Sequence, residues 1–89
     1  MDDDEKKAAL DVLAKKGPWD GSLGGRLCQR WELTGGEVRA YYAAIAGGVA
    51  NPCEAIGCRF ASNRKVDRAN SLLKRAGLIR YNGKSWEAM

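Results

Sequence analysis

The chain has 89 residues, 45% of them hydrophobic, and a formal net charge of +4. A domain of this size buries about 60–65% of the surface that its unfolded chain exposes, which is enough for one core without disulfides or metals. No apolar run approaches the ~20 residues needed to span a bilayer, and the acidic residues 2–5 are opposite in charge to a secretory signal. We therefore expect a single, soluble, cytoplasmic domain with no membrane partner.

The chain contains no histidine and three cysteines, Cys28, Cys53 and Cys58. General acid–base chemistry would fall to scattered carboxylates, and there is no nucleophile–base pattern or phosphate-binding glycine loop. An odd number of cysteines favours reduced thiols. Cys53 and Cys58 have a spacing that some zinc modules use, but a complete site would also need Cys28 and a carboxylate or water. We interpret these cysteines as small buried hydrophobes, and expect no enzyme, metal or cofactor.

Two helical segments are predicted in the N-terminal third. The first covers residues 4–16 and stops at the glycine–proline pair 17–18. Its acidic first turn and basic last turn complement the helix dipole. The second covers residues 22–31, where apolar residues recur at helical spacing although two adjacent glycines weaken the helix.

Stronger end signals define three more helices. Thr34 and Glu37 form a capping box that starts a helix ending at residue 46. A short helix over 52–56 begins with an asparagine N-cap and a proline at the first helical position. The last, residues 63–76, has an apolar stripe on one side, mostly basic and polar residues outside that stripe, and a glycine just after its end.

The C-terminus is predicted to form a β-hairpin, because the dipeptide Asn82-Gly83 favours a two-residue turn between two short strands. Counting outward from this turn gives three cross-strand pairs: Tyr81 with Lys84, Arg80 with Ser85, and Ile79 with Trp86. Ile79 and Trp86 then share a face, which we expect to pack on the last helix.

Positive charge is concentrated in the last third of the chain. Of the 26 residues from 59 to 84, eight are basic and only Asp67 is acidic, a net charge of +7. A basic helix that runs into a basic hairpin suits a row of phosphates better than a small substrate. The pattern favours nucleic acid as the partner.

The exit from the last helix into the hairpin reads Leu72-Leu73-Lys74-Arg75-Ala76-Gly77-Leu78-Ile79, followed by Gly83-Lys84-Ser85-Trp86. This string is similar to the junction between recognition helix and wing in winged helix-turn-helix DNA-binding proteins, and residues 37–88 resemble that family.

The resemblance implies a mainly α domain with a small C-terminal β-hairpin, in which residues 1–34 are a helical extension and 35–89 a winged-helix-like core. Helices 36–46 and 52–56 would support a recognition helix at 63–76 in the major groove, and 78–87 would be the wing. The turn over 58–62 is longer than usual in the family and carries Phe60, which we expect in the core, like the three tryptophans Trp19, Trp31 and Trp86.

A recognition helix must present hydrogen-bond donors to base edges and phosphates. Arg64, Lys65 and Arg68 lie in the N-terminal part of the helix, which reaches deepest into a groove. Asn63 suits adenine, and Tyr81 beside the hairpin tip suits stacking. Arg80 and Lys84 flank that tip, where they would clasp phosphate or act as edge charges that block aggregation. The full candidate set is Ser62, Asn63, Arg64, Lys65, Arg68, Ser71, Arg80 and Lys84.

Two alternatives stay open. A second helix-turn-helix pattern lies over 27–45, with a turn at 32–34, but its second helix offers mainly glycine and alanine. The functional alternative to a bacterial or phage-type transcriptional or replication regulator is a protein-interaction module, such as a phage inhibitor or adaptor of a nucleic-acid-processing complex. It would bind through the aromatic N-terminal half, with Trp19, Trp31, Tyr41 and Tyr42 as anchors. RNA binding ranks third, and neither the target site nor the oligomeric state is indicated.

Overall fold

A computed structural model describes residues 2–21, 25–26 and 31–89. The chain is mainly helical and ends in a small antiparallel hairpin. Its elements are α1 (Asp3–Lys16), α2 (Gly35–Ala46), a 3₁₀ helix (Pro52–Ile56), α3 (Arg64–Arg75), β1 (Ile79–Tyr81) and β2 (Trp86–Ala88). Four of the five predicted helical segments are thus confirmed. The remaining one, the second segment over 22–31, lies mostly outside the described residues.

The predicted helix ends are set by local hydrogen bonds. The Glu37 backbone N–H donates to the Thr34 hydroxyl at 3.2 Å and the Thr34 N–H to Glu37 Oε1 at 3.0 Å, which confirms the capping box. Asn63 caps α3, and Gly77 follows it with a positive φ of 76°. Asn51 is the exception, because its side chain makes no capping hydrogen bond to the 3₁₀ helix.

The core is built on α2, which packs against α1, the 3₁₀ helix, α3 and β2. Its buried apolar residues come from α2, α3, the 3₁₀ helix and the strand β1, together with three residues just outside these elements: Leu33, Val38, Tyr41, Ile45, Cys53, Ile56, Cys58, Val66, Ala69, Leu73, Leu78 and Ile79. Cys53 and Cys58 are free and buried, as predicted, while Cys28 lies outside the described residues.

One hydrogen bond inside this core joins α2 to α3. The Tyr41 hydroxyl donates to Asn70 Oδ1 at 2.6 Å, and Asn70 is only 8% exposed. Burial raises the pKa of Tyr41 to about 12, so the hydroxyl stays a donor across the physiological range. Because a buried amide must be paired, this contact sets which side of α3 faces α2.

The hairpin is present, but its predicted register is wrong by two residues. The observed pairs are Ile79 with Ala88, Arg80 with Glu87, and Tyr81 with Trp86. Asn82 Oδ1 accepts hydrogen bonds from the backbone N–H groups of Lys84 and Ser85, both at 2.9 Å, so Asn82 pairs across the ladder and the loop moves to Gly83-Lys84. Because a shift of two preserves the pleat, Ile79 and Trp86 still share the face that packs on the core.

Phe60 does not enter the core. Phe60 is 67% exposed, whereas Ile56 and Cys58 before it are buried and occupy the inward positions next to the 3₁₀ helix. Trp19 and Trp86 pack against the core from its edge and Trp31 is half-buried, so none of the three tryptophans occupies the centre of the core. No helix in the described part of the chain is long and apolar enough to cross a membrane.

The two glycines that begin α2 give a stability prediction. A Cβ on Gly35 would lie 1.8 Å from the Ala14 carbonyl oxygen of α1, whereas a Cβ on Gly36 would meet no atom within 4 Å. We expect Gly35→Ala to lower the free energy of unfolding by about 1–3 kcal/mol, the usual range for overpacking. Gly36→Ala should leave it unchanged or raise it by up to ~1 kcal/mol through helix propensity. Urea unfolding followed by circular dichroism measures both, and equal effects would contradict the close approach of α1 to α2.

Candidate nucleic-acid interface

Three arginines form a row along one side of α3, where the first and last are exposed and the middle one is half-buried. Arg64, Arg68 and Arg75 recur at intervals of four and seven residues, which places them on one face of a helix. They line a shallow groove of about 600 Å³ together with Trp19, Asp67, Ser71 and Leu72. We call it the arginine groove. Among the described residues, none of the three arginines is ion-paired with a carboxylate.

A second groove runs along the other side of α3, between that helix, the hairpin and the segment 48–53. Its volume is about 830 Å³, and its walls include Lys74 of α3 and Lys84 of the hairpin loop, with Tyr81 and Trp86 beside them. We call it the hairpin groove. Asp67 lines both grooves, as does Ser71, so these two residues mark the crest of α3 between them.

The structure brings part of the predicted set together. Arg64, Arg68 and Ser71 line the arginine groove and Lys84 lines the hairpin groove, while Ser62 is exposed in the turn before α3. Asn63 is occupied as the helix cap, because its Oδ1 accepts the Lys65 backbone N–H at 2.8 Å. This capping bond uses one of the two lone pairs of that oxygen, so adenine recognition by Asn63 would have to share the oxygen with the helix cap and stays a prediction.

Lys65 does not belong to this surface. Its ammonium group pairs with the Glu37 carboxylate of α2, and its side chain is only 13% exposed. The Glu37 side chain is held towards α3 by the capping box, so Lys65 meets an acid at the edge of the core. Its charge is compensated within the protein, which favours a structural role for Lys65, and the contact with base edges stays a prediction.

Arg80 is also paired inside the protein. Its Nε lies 2.6 Å from Glu87 Oε1 across the hairpin, and Asn82 Nδ2 donates to the other Glu87 oxygen at 3.2 Å. The hydrogen bond from Arg80, with that from Asn82, lowers the pKa of Glu87. Arg80 is on the hairpin face opposite Ile79 and Tyr81, away from the core. The edge-charge interpretation therefore fits Arg80 better than phosphate binding.

Several groove residues are absent from the candidate set, among them Arg75 and Trp19. The spacing of seven between Arg68 and Arg75 is a readable signal that Arg75 shares the arginine face. For Trp19, no spacing or motif in the sequence indicates that it lies beside α3. It reaches α3 because its backbone forms an antiparallel bridge with Leu33, in which the Trp19 N–H donates to the Leu33 carbonyl at 2.7 Å.

The described part of the upstream helix-turn-helix pattern presents few side chains that could donate hydrogen bonds to DNA. The exposed face of α2 carries glycine and alanine with one cation, Arg39, and that guanidinium is 2.7 Å from Asp11 of α1. Leu33 in the proposed turn is buried and bridged to Trp19. The first helix of this pattern includes residues 27–30, which lie outside the described part.

Within the described residues, no group of three or more cysteine, aspartate or glutamate side chains is arranged to hold a metal ion. Comparisons of the chain with protein-family models, with curated proteins and with solved structures find no match. The function is therefore argued from the charge and shape of the two grooves.

The ion pair between Glu37 and Lys65 gives a pH prediction. Partial burial opposes ionisation of Glu37, but hydrogen bonds from Lys65 and Thr34 outweigh it and lower its pKa below the usual 4.5. A carboxyl group with a lowered folded-state pKa stabilises the protein above its unfolded pKa, and this contribution is lost as the pH falls through the folded value. We expect Glu37→Gln, which retains a capping oxygen, to flatten the fall in unfolding free energy below pH 4.5.

Chemical unfolding at several values between about pH 3 and pH 6 measures this slope. Glu54→Gln is the matched control, since Glu54 is exposed on the 3₁₀ helix and has no ion pair among the described residues. A slope unchanged by Glu37→Gln would show that the pair with Lys65 does not stabilise the fold.

Proposed function

We propose that this chain is a non-catalytic, winged-helix-like domain that binds double-stranded DNA, with α3 in the major groove and the β1–β2 hairpin as the wing. The observation that carries the proposal is the row of Arg64, Arg68 and Arg75. Arg64 and Arg75 are exposed and Arg68 is half-buried, on a helix whose opposite side is anchored in the core, and no described carboxylate is ion-paired with any of the three.

The dimensions of α3 suit a duplex. A helix of 12 residues is roughly 18 Å long, and the major groove of B-DNA, about 12 Å wide, admits such a helix. Arg64 and Arg75 are separated by roughly 16 Å along the helix axis. A row of that length follows several successive phosphates or base edges.

The position of each cation indicates whether it would contact base edges or backbone phosphates. Arg64 and Arg68 lie in the first half of α3, where a recognition helix reaches base edges, and an arginine there suits guanine O6 and N7. Arg75 near the end of α3 and Lys84 in the hairpin loop suit backbone phosphates, which fix register without reading sequence. The biological role that follows by resemblance is a small bacterial or phage-type transcriptional or replication regulator.

The rival proposal, a protein-interaction module, loses its original support. Tyr41 is buried, and Trp19, Trp31 and Tyr42 are half-buried, so none of the four aromatic residues is an exposed anchor. The observation that favours a protein partner is instead Phe60, a large apolar side chain exposed in the turn just before α3. A salt titration with random-sequence duplex separates the two proposals, because only phosphate binding is lost steeply as salt increases.

We expect Arg64→Ala and Arg68→Ala to weaken binding to duplex DNA far more than Arg39→Ala. Arg39 is an exposed arginine that lines neither groove and is already paired with Asp11. Loss of a phosphate contact should reduce the slope of log K against log salt by about 0.9, whereas loss of a base contact should cost about 1–3 kcal/mol at one sequence position. Fluorescence anisotropy from about 50 mM salt upward measures both. Equal losses of duplex affinity in the three variants would show that α3 is not the DNA-binding surface.

Substitution of Asp67 is expected to strengthen DNA binding, the opposite of the arginine substitutions. Asp67 is exposed on the crest of α3 and is the one acid within the basic segment 59–84, so it faces the phosphates of a bound duplex. Asp67→Asn should therefore raise affinity for random-sequence duplex by removing a repulsion, most clearly at low salt. The exposed acid Glu54, outside α3, gives the matched control Glu54→Gln, which should change affinity less. Unchanged or weaker binding of random-sequence DNA by Asp67→Asn would indicate that the crest of α3 does not face DNA.

A further inference from the structure

Tyr81 is exposed on the side of the hairpin that should be covered. It shares the inward face with Ile79, which is buried, yet its own side chain is 55% exposed. Its one described ring neighbour is Trp86, at a centroid distance of 5.4 Å and a tilt of 57°. The hairpin therefore extends beyond the core and presents an aromatic surface to the hairpin groove.

The groove beside Tyr81 has the size of a ligand site. Its volume of about 830 Å³ falls within the range of about 300–1,000 Å³ that small-molecule pockets occupy. Its lining combines apolar residues of the core edge, such as Ile45 and Val66, with polar side chains, including Asn51 and Ser71. This combination suits a planar ring with polar edges.

Charge selects an anionic ligand. Lys74 from α3 and Lys84 from the hairpin loop both line the groove, and neither is ion-paired among the described residues. The loop that carries Lys84 is held in place by its backbone hydrogen bond to Asn82 Oδ1. Asp67, the one acid in the lining, lies on the crest of α3. A flat ring joined to phosphate, that is a nucleotide, complements both the aromatic surface and the two lysines.

We propose that the hairpin groove binds an unpaired nucleotide, with the base stacked on Tyr81 and its phosphates held by Lys74 and Lys84. A base within a duplex is already paired and stacked on its neighbours, so a nucleotide of the bound DNA can reach Tyr81 only from a single-stranded end or gap. The protein then prefers a duplex that continues into single strand over a blunt duplex. This preference rests on the proposed duplex binding by α3. The two sites share Lys84, whereas Tyr81 belongs to the hairpin groove alone.

The test compares a blunt duplex with the same duplex carrying a three-nucleotide overhang, of either polarity, by fluorescence anisotropy. Stacking on an aromatic residue changes affinity by roughly tenfold per base. We expect an overhang to strengthen wild-type binding by about that factor, Tyr81→Leu to abolish the gain, and Tyr81→Phe to retain it. Because Tyr81 is exposed, both variants should keep the wild-type circular dichroism, and the gain from the overhang is taken for each variant relative to its own affinity for blunt duplex.

A second measurement reports the stacking directly. The fluorescence of 2-aminopurine in the overhang should be quenched on binding to the wild type and to Tyr81→Phe, and not on binding to Tyr81→Leu. Equal wild-type affinity for blunt and overhanging duplexes, or an overhang preference that survives Tyr81→Leu, would overturn the inference while leaving duplex binding intact. Tyr81-dependent binding of a single-stranded oligonucleotide without binding of blunt duplex would support the groove and overturn the role of α3. Failure to bind any of these nucleic acids would overturn both.

Discussion

The orientation of α3 about its own axis is the constraint on which the rest of the molecule depends. Two polar contacts to α2 fix it: the buried hydrogen bond from Tyr41 to Asn70, and the ion pair between Lys65 and Glu37. An apolar stripe alone would tolerate some rotation, but a buried amide that lost its partner would cost about 1–3 kcal/mol. Because these contacts fix the side of α3 that faces α2, the row of Arg64, Arg68 and Arg75 is turned away from the core.

The protein divides its cations between structure and surface. Lys65, Arg80 and Arg39 each meet a carboxylate of another element or strand, so their charges are compensated within the fold. The cations left unpaired among the described residues of α3 and the hairpin loop are Arg64, Arg68, Lys74, Arg75 and Lys84. All five line one of two grooves that share a crest, so these unpaired charges lie along both sides of α3: three in the arginine groove and two in the hairpin groove.

The features that could be predicted from the sequence are those set by interactions between residues close together in the chain. Capping residues and helical periodicity gave the ends of α2 and α3 to within a residue, because those hydrogen bonds form between near neighbours. The hairpin register failed because the Asn82 side chain displaced the expected turn, and Phe60 was misplaced because Cys58 took the inward position. Lys65 and Arg64 are adjacent in sequence and equal in charge, so only the tertiary position of Glu37 separates the structural lysine from the surface arginine. The position of Trp19 beside α3 depends on a long-range bridge, which no local pattern encodes.

The most direct test of the account is to map backbone amide chemical shifts during titration with a random-sequence duplex. The largest changes should fall on the exposed positions of Arg64–Arg75 and on the loop 82–85, and they should fade as salt is added. Residues of α1 and the exposed side of α2 should be unaffected. Changes centred on α1 or α2, or no changes at low salt, would contradict the assignment of α3 and the hairpin as the DNA-binding surface.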